Sequence, residues 1–170
     1  MTGENKNGLS EKDRNFRYGM IKGRIAETLV EELFLSMGFN VFRYGMENTI
    51  PGVMDLLKGV RSDVAHEIRR MPDFVIQDNN TRNVYFVEVK FRANGSFKRT
   101  DLPKNYPYHN ALIIHLSKKH IKCISFEELD KGEEISPTSK NYLGSRPEFD
   151  FDKEIIKDFC GFALKFFKEV

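Results

Sequence analysis

Residues 71–92, MPDFVIQDNNTRNVYFVEVKFR, restrict the possible fold more than any other stretch of this chain. Pro72 to Gln77 is a short run rich in Val, Ile and Phe. Val84 to Phe91 is β-branched or aromatic at most positions. Asp78 to Arg82, between them, is turn chemistry, because Asn and Asp tolerate left-handed backbone and bond to it locally. The pattern predicts a β-hairpin. Side chains switch faces at each strand residue, so Glu88 and Lys90 share one face while Val87 and Val89 share the other. A turn centred between Asn80 and Thr81 sets Asp73 across from Glu88. Two carboxylates and an ammonium then converge at one end of the hairpin, with apolar residues on either side.

Convergence of this kind is costly, since covered carboxylates lose hydration and repel each other. A divalent cation offsets that cost. Carboxylate oxygens from Asp73 and Glu88, the Val89 carbonyl and water suit Mg²⁺ or Mn²⁺, which are hard and prefer oxygen. Lys90, two residues after Glu88, can orient or deprotonate a water or stabilise a charged phosphorane. Metal, carboxylates and lysine together describe phosphodiester hydrolysis.

Pro72-Asp73 followed by Glu88-Val89-Lys90 resembles the signature of the PD-(D/E)xK nuclease superfamily, which includes restriction endonucleases, archaeal Holliday-junction resolvases and RecB-type nuclease domains. The resemblance runs roughly from Gly19 to Leu129. Gly23-Arg24-Ile25-Ala26-Glu27, then Val30-Glu31-Glu32-Leu33 and Gly38-Phe39-Asn40-Val41, are similar to the first helix and strand of the junction-resolvase branch. The resemblance implies a restriction-endonuclease-like α/β fold. It makes Glu27 a third carboxylate of the metal site, direct or through water. Lys22 and Arg24, about one turn earlier, become phosphate contacts. Two departures stand out. About 25 residues separate the first strand from Pro72-Asp73 where compact relatives have a short link. Thr100 to Asn110, TDLPKNYPYHN, carries two prolines where such proteins usually place a helix.

The rest of the chain fits one domain, residues 13–170, after a polar tail at 1–12. A helix from about Asp13 or Tyr18 to Met37 carries an apolar stripe, and Gly38 stops it. Asn40 to Tyr44 reads as a strand. Residues 45–70 form a helical insert before the hairpin, with one short helix around Val53 to Leu57 and another capped by Ser62 or Asp63. Ala111 to Leu116 is a buried strand and His120 to Phe126 its partner. Residues 127–148 read as a long loop, and 149–170 as a C-terminal helix with a dense Phe stripe that forms core and, in part, a candidate homodimer surface. The expected fold is therefore α/β, a mixed sheet of four to five strands covered by the first and last helices.

Charge is uneven. Residues 58–122 hold 13 Lys and Arg against 6 Asp and Glu, although the whole chain is only +2. A basic zone around a carboxylate cluster suits a phosphate-backbone substrate, and the resemblance favours DNA over RNA. Arg69 and Arg70 end the insert beside the proposed site. Arg92, Lys98 and Arg99 lie in a loop after Lys90, where they meet phosphates and Phe97 wedges against a base. His109, His115 and His120 lack metal spacing, with His109 a minor candidate for a phosphate contact. Cys123 and Cys160 lie far apart and read as reduced thiols. The chain shows neither a membrane-length apolar run nor a charged-then-apolar leader, which predicts a cytoplasmic protein with no membrane partner. A DNA endonuclease is the leading expectation. A nucleic-acid-binding module without turnover, an RNA-directed nuclease and a structural protein that binds a partner remain as alternatives.

Overall fold

The computed structural model describes residues 8–45, 52 and 57–170. Helix α1 spans Glu11–Ser36, starting earlier than its apolar stripe suggests because Ser10 caps it, the hydroxyl accepting the Asp13 N–H at 3.1 Å. Gly38, at φ +80°, ends the turn that follows. Strand β1, Asn40–Arg43, leads into the insert. Residues 46–51 and 53–56 lie outside the described residues, and with them nearly all of the helix expected around Val53 to Leu57. The second insert helix is present as α2, Asp63–Arg69, with Ser62 as its cap.

The hairpin forms in the expected register. Strand β2, Phe74–Gln77, runs antiparallel to β3, Val84–Phe91, with Phe74 opposite Val87 and Gln77 opposite Val84. One step further along this register, Asp73 comes opposite Glu88. The turn is an Asx turn, in which Asp78 Oδ1 accepts the N–H groups of Asn80 at 2.7 Å and Thr81 at 3.3 Å. The left-handed residue is Arg82, at φ 66°, rather than one of the asparagines. Strands β4, Leu112–Leu116, and β5, Ile121–Ser125, complete a five-stranded sheet in the order β1-β2-β3-β4-β5. Only β3 and β4 are parallel neighbours, so the sheet is mixed.

The first and last helices cover the sheet as expected, and both lie on one face of it. On that face Phe74, Ile76, Val87, Val89, Leu112 and Ile114 pack under α1 and the C-terminal helix α4, Lys153–Phe167. Asp152 caps α4, and Phe167 stacks on Phe91 with ring centres 4.0 Å apart. Phe34 of α1 meets Phe39, Phe149 and Phe151 edge-on. The Phe stripe is only partly core, since Phe162 and Phe166 are 41% and 61% exposed.

The opposite face is covered by segments that read as loops. Phe97, Leu102 and Tyr106 lie over Ile113 and Ile124, together with Ile135 and the short helix α3, Phe126–Asp130. Residues 127–148 are accordingly no open loop. Ile135 and Phe97 exchange both backbone hydrogen bonds, at 2.8 and 2.9 Å, and Leu143 is fully buried in the core on the first face. Single apolar pegs of this kind have no periodicity for a sequence reading to find. Four α-helices lie among the described residues, and none is long and apolar enough to cross a membrane.

Candidate active site

The hairpin brings the predicted carboxylates and lysine to one place. Asp73 sits where the chain leaves α2 and enters β2. Its carbonyl accepts the N–H groups of Tyr44 at 2.9 Å and Gly45 at 3.2 Å. Its Oδ2 accepts the Val89 N–H at 2.7 Å, extending the ladder with a side chain one residue before β2 begins. The N–H and C=O of a strand residue point to the same side, so the Val89 carbonyl also opens towards Asp73. Glu88 and Lys90 lie on the second face of the sheet, with Phe86, and Lys90 Nζ stands 2.6 Å from Glu88 Oε1.

The electrostatics follow from this packing. Glu88 is only 9% exposed, and burial raises its carboxyl above the usual carboxylate range against the pull of Lys90; Glu27 pushes it further and Arg70 opposes. Burial alone would lower Lys90. Glu88, then Asp73 and Glu27, more than reverse this, and Lys90 ends above its ordinary value. Lys90 is therefore a held ammonium. Glu27 is half-buried on α1, and its charge reaches Glu88, Lys90 and Arg43. Arg43 is itself paired with Glu31. Among the described residues no group of three or more His, Cys, Asp and Glu side chains is gathered closely enough to hold a metal ion. What the sheet presents is a pair, Asp73 and Glu88. That donor set fits a magnesium-type ion, which keeps several of its waters and takes one or two carboxylates.

Glu88 and Lys90 open into a cleft of about 480 Å³ whose walls include Arg69, Arg70, Asp101 and Tyr106. The predicted basic contacts divide into two groups here. Arg70 is exposed on the rim, and its charge acts on Glu88. Lys98 is exposed beside the neighbouring groove that Arg92 also lines. Lys22 and Arg24 lie on α1, Lys22 over the Tyr18 ring at 4.9 Å. The others are engaged in holding loops. Arg69 donates to the carbonyls of Leu57 and Val60. Arg92 pairs with Asp101 at 3.2 Å. Arg99 donates to the carbonyls of Pro103 and Lys104, each at 3.0 Å, and lies over Phe126.

Two aromatic expectations change. Phe97 is 1% exposed and belongs to the core, so it cannot wedge against a base without unfolding that face. His109 stacks on Phe126 and lines a different cleft, near the start of β3, with Glu127 and Glu148. His115 is fully buried, and burial with the charges of Arg92 and Lys122 lowers it to about 4, so it is neutral.

Tyr106 is the site residue that sequence reasoning missed. It lies in the proline-rich stretch that offered no helix, and its flanking pattern Tyr106-Pro107-Tyr108 was the one available signal. Its ring stacks on Phe126 and meets Tyr108 edge-on. Its hydroxyl is buried with no hydrogen-bond partner among the described residues. No protein-family model, curated protein or solved structure matches this chain.

Proposed function

We propose that this cleft is the active site of a metal-dependent nuclease of the PD-(D/E)xK type, on a restriction-endonuclease-like fold, and that DNA is its substrate. One observation carries the reading. The hairpin register sets Asp73 opposite Glu88, and Glu88, with the Lys90 ammonium on it, lines a cleft that Arg70 also lines. Asp73, Glu88 and the Val89 carbonyl would hold Mg²⁺ or Mn²⁺, with Glu27 adding negative charge nearby. A bound ion of this type supplies a positive charge that polarises a phosphate and lowers the pKa of water.

The chain's own groups do the rest. Lys90, kept protonated by three carboxylates, is unsuited to take a proton from water. It instead places positive charge against the phosphate as negative charge develops there. Arg70 anchors a flanking phosphate. The Val89 N–H holds Asp73 in one orientation, so the carboxylate needs no reorganisation on binding.

The test is plasmid cleavage in Mg²⁺ or Mn²⁺, with single strands, duplexes, four-way junctions and RNA offered side by side. Glu88→Ala and Lys90→Ala should each lower the rate by at least about 100-fold. Calorimetry should show Mn²⁺ binding to the wild type that Asp73→Asn weakens sharply. Equal affinity in the two proteins removes the metal site. A nucleic-acid-binding module without turnover is favoured by one feature, the engagement of Glu88 by Lys90 at 2.6 Å. Duplex binding with no metal-dependent nicking would establish that reading instead.

A further inference from the structure

The Tyr106 hydroxyl is an anomaly. Tyr106 is 2% exposed, and a buried hydroxyl without a partner destabilises the fold, because its hydration is given up and nothing replaces it. The ring is fixed by its stack on Phe126, its edge contact with Tyr108 and the backbone bond from the Tyr106 N–H to the Pro103 carbonyl at 3.2 Å. The polar atom is therefore held at the cleft by rigid packing, not by a bond of its own. After burial itself, the charges of Glu88 and then Asp73 act on it most strongly, and all three raise the phenol above its ordinary value. The hydroxyl stays protonated and serves only as a neutral donor or acceptor. Glu88 is meanwhile occupied by Lys90.

We propose that Tyr106 is a positioning residue for Glu88. When the Lys90 ammonium turns from Glu88 to a phosphate, the Tyr106 hydroxyl donates to the Glu88 carboxylate and fixes its orientation towards the metal ion. This rests on the nuclease reading above. It accounts for a buried donor kept in the same cleft as a carboxylate whose present partner is needed elsewhere. Outer hydrogen bonds of this kind set ligand orientation and commonly change metal affinity by about 10- to 100-fold.

Tyr106→Phe isolates the hydroxyl, since the ring and its stacking remain. Calorimetry with Mn²⁺ should show affinity about 10- to 100-fold weaker than wild type. The melting temperature without metal should be unchanged or higher, because an unsatisfied group has been removed. Plasmid cleavage should fall at low Mn²⁺ and recover at high Mn²⁺, which a structural defect would not do. Equal Mn²⁺ affinity overturns the inference while leaving the nuclease reading intact, and so does a loss of affinity accompanied by a lower melting temperature. A wild type that neither binds Mn²⁺ nor cleaves ends the nuclease reading and this inference together.

Discussion

His115 sits in the middle of the sheet, in register with Lys90 on one side and Lys122 on the other. Both of its ring nitrogens are buried without partners among the described residues. A neutral imidazole survives there, and a charged one does not. The folded value of about 4 lies below that of an exposed histidine, so the unfolded chain takes up the proton first as pH falls. Stability from this group is complete above about pH 6.5 and is lost between there and about pH 4, a loss of about 3 kcal/mol. Glu88 acts in the opposite sense, because its raised folded value favours the folded state as pH falls. The comparison must therefore be made between variants. His115→Phe should be neutral or stabilising at pH 7, where it removes two unpaired nitrogens, and should flatten the acid slope. Urea unfolding at pH 7 and pH 4.5 measures both. An unchanged slope means that His115 is charged or hydrated in the folded protein.

Among the elements, α3 shows how a short piece of helix is held in place. Ser125 and Glu128 form a reciprocal cap, with the Ser125 N–H on Glu128 at 2.7 Å and the Glu128 N–H on Ser125 Oγ at 3.1 Å. Arg146 then clamps the same Glu128 through Nη1, at 2.9 and 2.7 Å, and Glu148 through Nε and Nη2, at 2.9 and 2.6 Å. One guanidinium thus ties the second face of the sheet to the segment that delivers Phe149 to the first. Its side chain is only 10% exposed, whereas the two glutamates are about 30% exposed. Arg146→Met should cost about 2–3 kcal/mol, below the 3–5 of a fully buried pair because the carboxylates keep some water. Arg146→Lys should recover little of this, since a point charge cannot fork to two carboxylates. Urea denaturation at neutral pH reads both, and full recovery by Lys would reduce the clamp to simple charge neutralisation.

For the molecule as a whole, the sequence was most legible where local and cross-strand patterns agree. The hairpin register followed from the Asp78–Arg82 turn, and with it the convergence of Asp73, Glu88 and Lys90. The strand sequence and α2 followed from alternation and capping. What could not be read was the covering of the second face, because Phe97, Leu102, Tyr106 and Ile135 are isolated apolar residues whose partners are set only by tertiary closure. The duties of Arg69 and Arg99 were hidden for the same reason, since backbone carbonyls leave no mark in a sequence. The exposure of the first half of α1 was equally invisible. Residues 11–24 are exposed or at most half-buried, whereas Ala26, Leu29, Val30, Leu33 and Phe34 lie in the core. About 20 Å of helix therefore runs beyond the packed face. A segment of that length is marginal alone, and Gly19 and Gly23 each weaken it by about 1 kcal/mol relative to Ala. Native-state hydrogen exchange should show a gradient along one continuous helix. Amides near residues 15–22 should open locally at little cost, while those of Val30 to Phe34 should exchange only with global unfolding. This arm carries Arg14, Arg17, Lys22 and Arg24, so the nuclease reading adds a second expectation. Duplex DNA held with Ca²⁺ should raise protection in the arm. Arg17→Ala with Arg24→Ala should reduce the salt dependence of binding by about 0.9 in log–log slope for each phosphate that is no longer neutralised. Protection unchanged by DNA, with the slope intact, would place the duplex on the Arg70 side of the cleft alone.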